Sequence, residues 1–169
     1  MKKFLVVGNP IDHSLSPALH NYWIKSNAID AIYEKQKLNE DELEQIISEV
    51  KDKKISGVNV TVPFKKKVIP YLDELSSEAQ KTQSVNTIYL KDNKVVGHNT
   101  DIVGFETSIK KSEYDLNNKE VLILGAGGVV TSIIFTLIKM KASKIKICNR
   151  TKERAENLKK IYKNIEIID

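Results

Sequence analysis

Two stretches of the sequence have the residue types and spacing to hold a phosphorylated ligand. Gly125-Ala126-Gly127-Gly128 follows the apolar run Val121 to Leu124 and precedes a largely apolar segment from Val129 to Met140. Glycines at such a strand-to-helix junction permit a tight turn, and the helix start behind it offers backbone N–H groups to a pyrophosphate. The same glycines also serve plain close packing, so the turn alone leaves both readings open. The next strand ends in Asn149-Arg150-Thr151, with Arg154 one helical turn further on. An acidic residue at about this distance from the glycines would hold the ribose hydroxyls of NAD, whereas arginine accommodates the extra phosphate of NADP. Two guanidinium groups converging there suit a dianionic phosphate through bidentate hydrogen bonds. Without the glycine turn upstream, the same arginines would read as exposed residues near a helix start.

The elements that position these residues are readable from periodicity. Phe4 to Val7 reads as a buried strand ended by Gly8-Asn9-Pro10, and Ser16-Pro17 starts a helix running to about Asn27. Ala31 to Leu38 reads as a second strand. Asn39 with Glu42 forms a capping pair for a helix whose Leu43, Ile46, Ile47 and Val50 share one face. Val58, Val60 and Val62 alternate with Asn59 and Thr61, which predicts a strand with valines on one side and polar residues on the other. Short helices are expected over Lys65 to Leu72 and Ser76 to Gln83. A hairpin follows, from Val85 to Leu90 and Lys94 to Gly97 around Asp92-Asn93, and Asp101 caps a helix to about Lys111. Lys111 to Lys119 is polar and aperiodic, the mark of a domain connection. Beyond it comes a βαβ unit: Val121 to Leu124, the glycine turn and its helix, then Ile145 to Cys148. A helix from Thr151 to Tyr162 and a strand from Ile165 to Ile168 continue it.

Composition narrows the class. Hydrophobic residues make up 41% and charged residues 29% of 169, the balance of a folded globular chain. Twenty-seven Lys and Arg against 22 Asp and Glu leave a net charge of +5, which favours anionic ligands. The excess is scattered lysine with no arginine-aromatic pattern for bases, so no nucleic-acid partner is expected. The single cysteine, Cys148, forms no internal disulfide, and no cysteine and histidine cluster has zinc-ligand spacing, so no metal is expected. Residues Met1 to Val7 lack the length of a signal peptide and Ile133 to Ile138 is too short to span a bilayer, which points to the cytoplasm and away from a membrane partner. The sequence leaves the oligomeric state open, a homodimer included.

Further candidates lie in the first hundred residues. Gly8-Asn9-Pro10-Ile11-Asp12-His13-Ser14-Leu15-Ser16-Pro17, Asn59-Val60-Thr61-Val62-Pro63-Phe64-Lys65, Val85-Asn86-Thr87 and Asn99-Thr100-Asp101 occur in that order, ahead of the glycine turn and the Asn149-Arg150-Thr151 stretch. Together they resemble the shikimate dehydrogenases, from Gly8 to about Arg154. That resemblance implies the reversible reduction of 3-dehydroshikimate to shikimate with NADPH, a step of aromatic amino-acid and chorismate biosynthesis. Ser14 and Ser16 match the family's pair that grips the substrate carboxylate, and hydroxyls beside a helix start suit an anion. Asn59, Thr61 and Asn86 match positions that bind the substrate hydroxyls. Lys65 and Asp101 match the catalytic pair, which also contacts substrate, since a ketone receiving hydride needs a proton. The resemblance extends the cofactor set to Gly125, Ala126, Gly127, Gly128, Val129, Asn149, Arg150, Thr151 and Arg154. Taken alone, Ser16 would be a helix cap, Asn59 and Thr61 the wet side of a strand, Lys65 to Lys67 a solvated charge run and Asp101 a cap. His13, His20 and His98 receive no role.

The expected architecture is α/β: an N-terminal α/β substrate domain, residues 1–110, followed by an incomplete Rossmann-type NADP-binding domain, residues 111–169, with the active site in the cleft between them. Val130 departs from the Gly or Ala usual after the glycine turn and is expected to crowd helix against sheet. Only one mononucleotide half of a dinucleotide fold is present, so the chain is expected to be a fragment without independent turnover. The alternatives are a quinate/shikimate dehydrogenase using NAD, and a non-catalytic remnant that binds ligand without turnover.

Overall fold

The computed structural model describes residues 1–168 and divides the chain into two compact units, Met1–Asn99 and Thr100 onward. In the first unit, strands β1 (Lys2–Gly8), β2 (Ala31–Lys37), β3 (Gly57–Val60), β4 (Glu74–Leu75), β5 (Thr87–Lys91) and β6 (Lys94–His98) form one sheet in the order β2-β1-β3-β5-β6-β4. β1 pairs in parallel with β2 and β3 and β4 with β6, whereas β3–β5 and β5–β6 are antiparallel. The sheet is therefore mixed.

Side-chain alternation along β1 assigns its two faces. Leu5 and Val7 point into the main core with Val58, Val60, Ile88 and Val95, where helix α2 (Leu43–Lys51) adds Leu43, Ile46, Ile47 and Val50. Val6 points the other way and joins Ile11 and Tyr33, against which Ile24 of helix α1 (Ser16–Ser26) packs. Helix α3 (Ser77–Thr82) begins where Ser76 accepts the Ala79 N–H at 3.2 Å. The Asn39–Glu42 pair does form, the Asn39 N–H donating to the Glu42 carboxylate at 2.6 Å. It closes a 3₁₀ turn, Glu40–Glu42, that leads into α2.

Two elements differ from the sequence expectation. Residues 65–72 form turns and a 3₁₀ segment, Ile69–Tyr71, in place of an α-helix. Pro70 explains this: its ring would strike the Lys66 carbonyl of a regular helix and it has no N–H to give. The chain instead uses tighter bonds, Ile69 N–H to Lys66 O and Tyr71 N–H to Val68 O. The valine strand also stops at Val60, leaving Val62 exposed. The hairpin forms around Asp92 and Asn93, both at positive φ (49° and 60°), as a two-residue turn matched to strand twist requires.

Gly8 allows the end of β1 to approach the segment after β3. A Cβ there would lie 2.6 Å from Thr61 Cγ2 and 3.0 Å from the Val62 carbonyl. Gly8→Ala should therefore cost roughly 1–3 kcal/mol, read as a lower urea midpoint at constant slope. An unchanged midpoint would mean that the Thr61 segment yields without strain.

In the second unit, helix α4 (Asp101–Lys111) precedes strands β7 (Glu120–Leu124), β8 (Lys144–Cys148) and β9 (Ile165–Ile168), which pair in parallel in that order. Helices α5 (Val130–Lys139) and α6 (Lys152–Ile161) connect them. This is the strand order of one mononucleotide half. Ile134, Leu137, Ile145, Ile147 and Ala155 form its core. The units divide after Asn99, earlier than the boundary read after residue 110. The reason is that Phe105 and Ile109 of α4 pack on the second core, and Glu106 binds both Lys110 and Lys139 at 2.7 Å. Leu116, inside the stretch read as a connection, is buried in the same core. Val130 is also buried there, and α5 continues unbroken behind it, so its side chain is packed rather than crowding.

Candidate functional site

Residues from two strand ends meet in the first unit. The loop after β1 turns at Ile11, whose carbonyl accepts the Ser14 N–H at 3.0 Å, and the Ser14 hydroxyl accepts the Ser16 N–H at 3.3 Å. Ser14 thus sits at the entrance of α1, where a helix start favours negative charge. Thr61 is drawn alongside by its N–H to Val7 O at 2.9 Å, and Asn9 N–H binds Val62 O at 3.0 Å. The result is a cleft of about 310 Å³ lined by Val6, Pro10, Ile11, His13, Ser14, Ser16 and Thr61. It brings together Ser14, Ser16 and Thr61, but Asn59, Lys65 and Asn86 are not among its lining residues. A second cleft of about 250 Å³ lies between α2 and the 3₁₀ segment, where Asp73 accepts the Val95 N–H and pairs with Lys51.

Asn59 and Asn86 are joined across β3 and β5. Asn59 Nδ2 donates to Asn86 O at 3.2 Å and to Thr87 Oγ1 at 3.1 Å, and Thr87 Oγ1 donates to Asn86 Oδ1 at 3.0 Å. Lys65 is tied to the same loop through its backbone, its carbonyl accepting the Val85 N–H at 2.8 Å. Its side chain is half-buried, whereas Lys66 and Lys67 are exposed and Lys67 pairs with Glu40. The three lysines are therefore not one solvated run. Tyr33, which no sequence signal singled out, donates its hydroxyl to Asn59 Oδ1 at 2.7 Å. His20 stacks on Tyr33 with centroids 4.1 Å apart, and desolvation holds its pKa below the usual histidine value.

In the second unit, Asp101 is the first residue of α4 and half-buried. The glycine turn is closed by the Gly125 N–H to Cys148 O at 2.8 Å. Gly125 sits at φ +108°, a conformation that L side chains rarely adopt, so glycine is required. A Cβ on Gly125 or Gly127 would meet nothing within 4 Å, so the space above the turn is open to a ligand. α5 begins at Val130, directly behind Gly127, Gly128 and Val129, and the Val130 N–H donates to Gly127 O at 3.0 Å across this turn. The Asn149 amide spans the two candidate loops, with Oδ1 accepting the Ala126 N–H at 2.9 Å and Nδ2 donating to Thr151 O at 2.6 Å. Arg150 and Arg154 are exposed beside the start of α6. An open glycine turn before a helix, with two exposed guanidinium groups at the next strand end, fits a phosphorylated dinucleotide bearing an additional phosphate.

Residues 6–88 match the family model for the shikimate dehydrogenase substrate binding domain, and residues 106–169 the model for shikimate / quinate 5-dehydrogenase. A shikimate dehydrogenase (NADP(+)) of Pelagibacter ubique is 58% identical over 167 residues, covering 99% of this chain and 63% of that protein. One from Nitrosopumilus maritimus is 39% identical over 166 residues, covering 98% and 61% respectively. Among solved structures, shikimate dehydrogenase from Aquifex aeolicus superposes with a TM-score of 0.92 at 37% identity, over 100% of this chain and 63% of that one. Shikimate 5-dehydrogenase from Thermus thermophilus, in complex with NADP(H) and shikimate, gives 0.88 at 32% identity over 100% and 63%. The chain spans about 60% of the length of the curated relatives it matches.

Proposed function

The chain belongs to the shikimate dehydrogenase family, and from that premise we propose that it takes part in the NADP-dependent, reversible reduction of 3-dehydroshikimate to shikimate. The observation that carries this reading is the cleft uniting Ser14 and Ser16 with Thr61, residues far apart in sequence. Its two serine hydroxyls, at a helix entrance, suit a carboxylate, and the neighbouring Asn59–Asn86 amides supply the donors and acceptors that a polyol needs. Lys65 and Asp101 are the proposed proton-handling pair. An ammonium can donate the proton that the ketone oxygen requires, and a carboxylate can take one in the reverse direction. NADPH, when bound, supplies the hydride. Gly125 to Val129 would receive its pyrophosphate at the start of α5, and Arg150, Thr151 and Arg154 its 2′-phosphate. A cytoplasmic location and assembly as a homodimer belong to the same reading. Among the described residues no helix is long and apolar enough to cross a membrane.

Isothermal titration of the chain with shikimate and with NADP tests the proposal, and binding of neither ligand would overturn it. The same titrations test the Asn149 bridge. Asn149→Ala removes the hydrogen bond that ties its loop to the glycine turn and a second bond within its own loop, so NADP should bind roughly 10-fold more weakly. Shikimate affinity should be unchanged. Equal weakening of both ligands would show general unfolding instead.

A further inference from the structure

The bonds around Asn59 have a direction. The Asn86 carbonyl can only accept, so the Asn59 atom 3.2 Å from it must be the amide nitrogen, whose second hydrogen meets Thr87 Oγ1. Asn59 Oδ1 is then the atom facing Tyr33, and the Tyr33 hydroxyl must donate. Thr87, having accepted from Asn59, gives its one hydrogen to Asn86 Oδ1. The direction therefore runs from Tyr33 through Asn59 and Thr87 to Asn86.

Tyr33 is built to stay at the head of this series. It is 4% exposed, its ring stacks on His20, and its backbone is clamped by Asn21, which accepts the Tyr33 N–H at 2.9 Å and donates to its carbonyl at 2.7 Å. Burial pushes the phenol pKa up to about 12, so the oxygen keeps its proton throughout the neutral range. A turned-over amide would set Asn59 Oδ1 against the Asn86 carbonyl oxygen with no hydrogen between them, so that carbonyl sets which way the amide faces. The Tyr33 hydroxyl is what holds the opposite end of that amide.

Resting on the shikimate reading of the site, we propose that Tyr33 is a positioning residue whose hydroxyl anchors Asn59 Oδ1 and so holds in place the amides of Asn59 and, through Thr87, of Asn86. It thereby keeps the donors and acceptors of these groups aligned with the hydroxyls of the substrate. The property it controls is recognition of the polyol edge, separate from recognition of the carboxylate at Ser14 and Ser16.

The test uses the full 169-residue chain with two probes: shikimate, and cyclohex-1-ene-1-carboxylate, which carries the acid without the hydroxyls. Tyr33→Phe removes one oxygen and should weaken shikimate roughly 3- to 10-fold while leaving the hydroxyl-free acid unchanged. In the ligand-free, ¹⁵N-labelled chain, Tyr33→Phe should shift the side-chain amide resonances of both Asn59 and Asn86. Thr87→Val should shift those of Asn86 while Asn59 keeps its Tyr33 partner. Equal loss of affinity for both acids, or an Asn86 amide unmoved by Tyr33→Phe, would overturn the proposal. A wild-type chain that binds neither acid would count against the shikimate reading alone, because the amide resonances decide the relay without any ligand.

Discussion

Lys65→Ala should lower kcat by roughly two to four powers of ten, the range lost when a positioned acid or base is removed, with a much smaller change in KM. The measurement needs a polypeptide that joins residues 1–169 to the remaining length found in the relatives, assayed by NADPH oxidation with 3-dehydroshikimate. Lys65 differs physically from the lysines beside it: its side chain is half-buried, and its carbonyl holds Val85, the residue before Asn86. Lys66→Ala in the same background is the control and should leave kcat within a factor of about two, as expected for an exposed charge. Near-normal kcat in Lys65→Ala would reduce Lys65 to surface charge and move the proton-handling role elsewhere.

Arg150→Glu should lower the preference for NADP over NAD by roughly 100-fold, seen in the ratio of kcat/KM values for the two cofactors. Charge-assisted hydrogen bonds from a guanidinium to a dianionic phosphate are lost, and a carboxylate is set against the same phosphate. The effect should be specific, because Arg150 is exposed and the loop that carries it is held through Asn149, whose side chain stays in place. NAD, which lacks that phosphate, should be used about as well as before. Equal use of NAD and NADP by the unsubstituted protein would remove the assignment of Arg150 and Arg154, and with it the ground for preferring NADP.

Much of the scaffold was legible because local signals agreed with one another. Val58 and Val60 alternate with Asn59, and the strand forms with its valines in the core. Asp92-Asn93 lies between two apolar runs, and the hairpin closes on it. The βαβ order of the second unit followed from apolar strands flanking a glycine turn. What failed were segments where one residue outweighs its neighbours. Pro70 removes the helix that Lys65 to Leu72 would otherwise suggest, and the two-residue strand Glu74–Leu75 is too short to leave any period. Leu116 read as part of a polar connection because a single apolar residue carries no periodicity. In the candidate site, residue types and spacing were legible in the sequence and the couplings between side chains were not. Tyr33 lies 26 residues from Asn59, and Asn149 lies 23 from Ala126; neither bond has a local signature, since each depends on which strands become neighbours.

β1 has strands on both sides, carries the nearly inaccessible Leu5 and Val7, and leads into the loop that bears Ser14 and then Ser16 at the start of α1. Its amides should be among the slowest in the first unit to exchange with solvent deuterium, opening only with global unfolding. A substitution that weakens this core would then not produce a folded protein with a loosened ligand site. It would lower the fraction of molecules that are folded, while those that remain bind as before. Such variants should show reduced yield and shorter lifetime at unaltered dissociation constant, a pattern that separates scaffold damage from damage to Ser14, Asn59 or Tyr33 themselves.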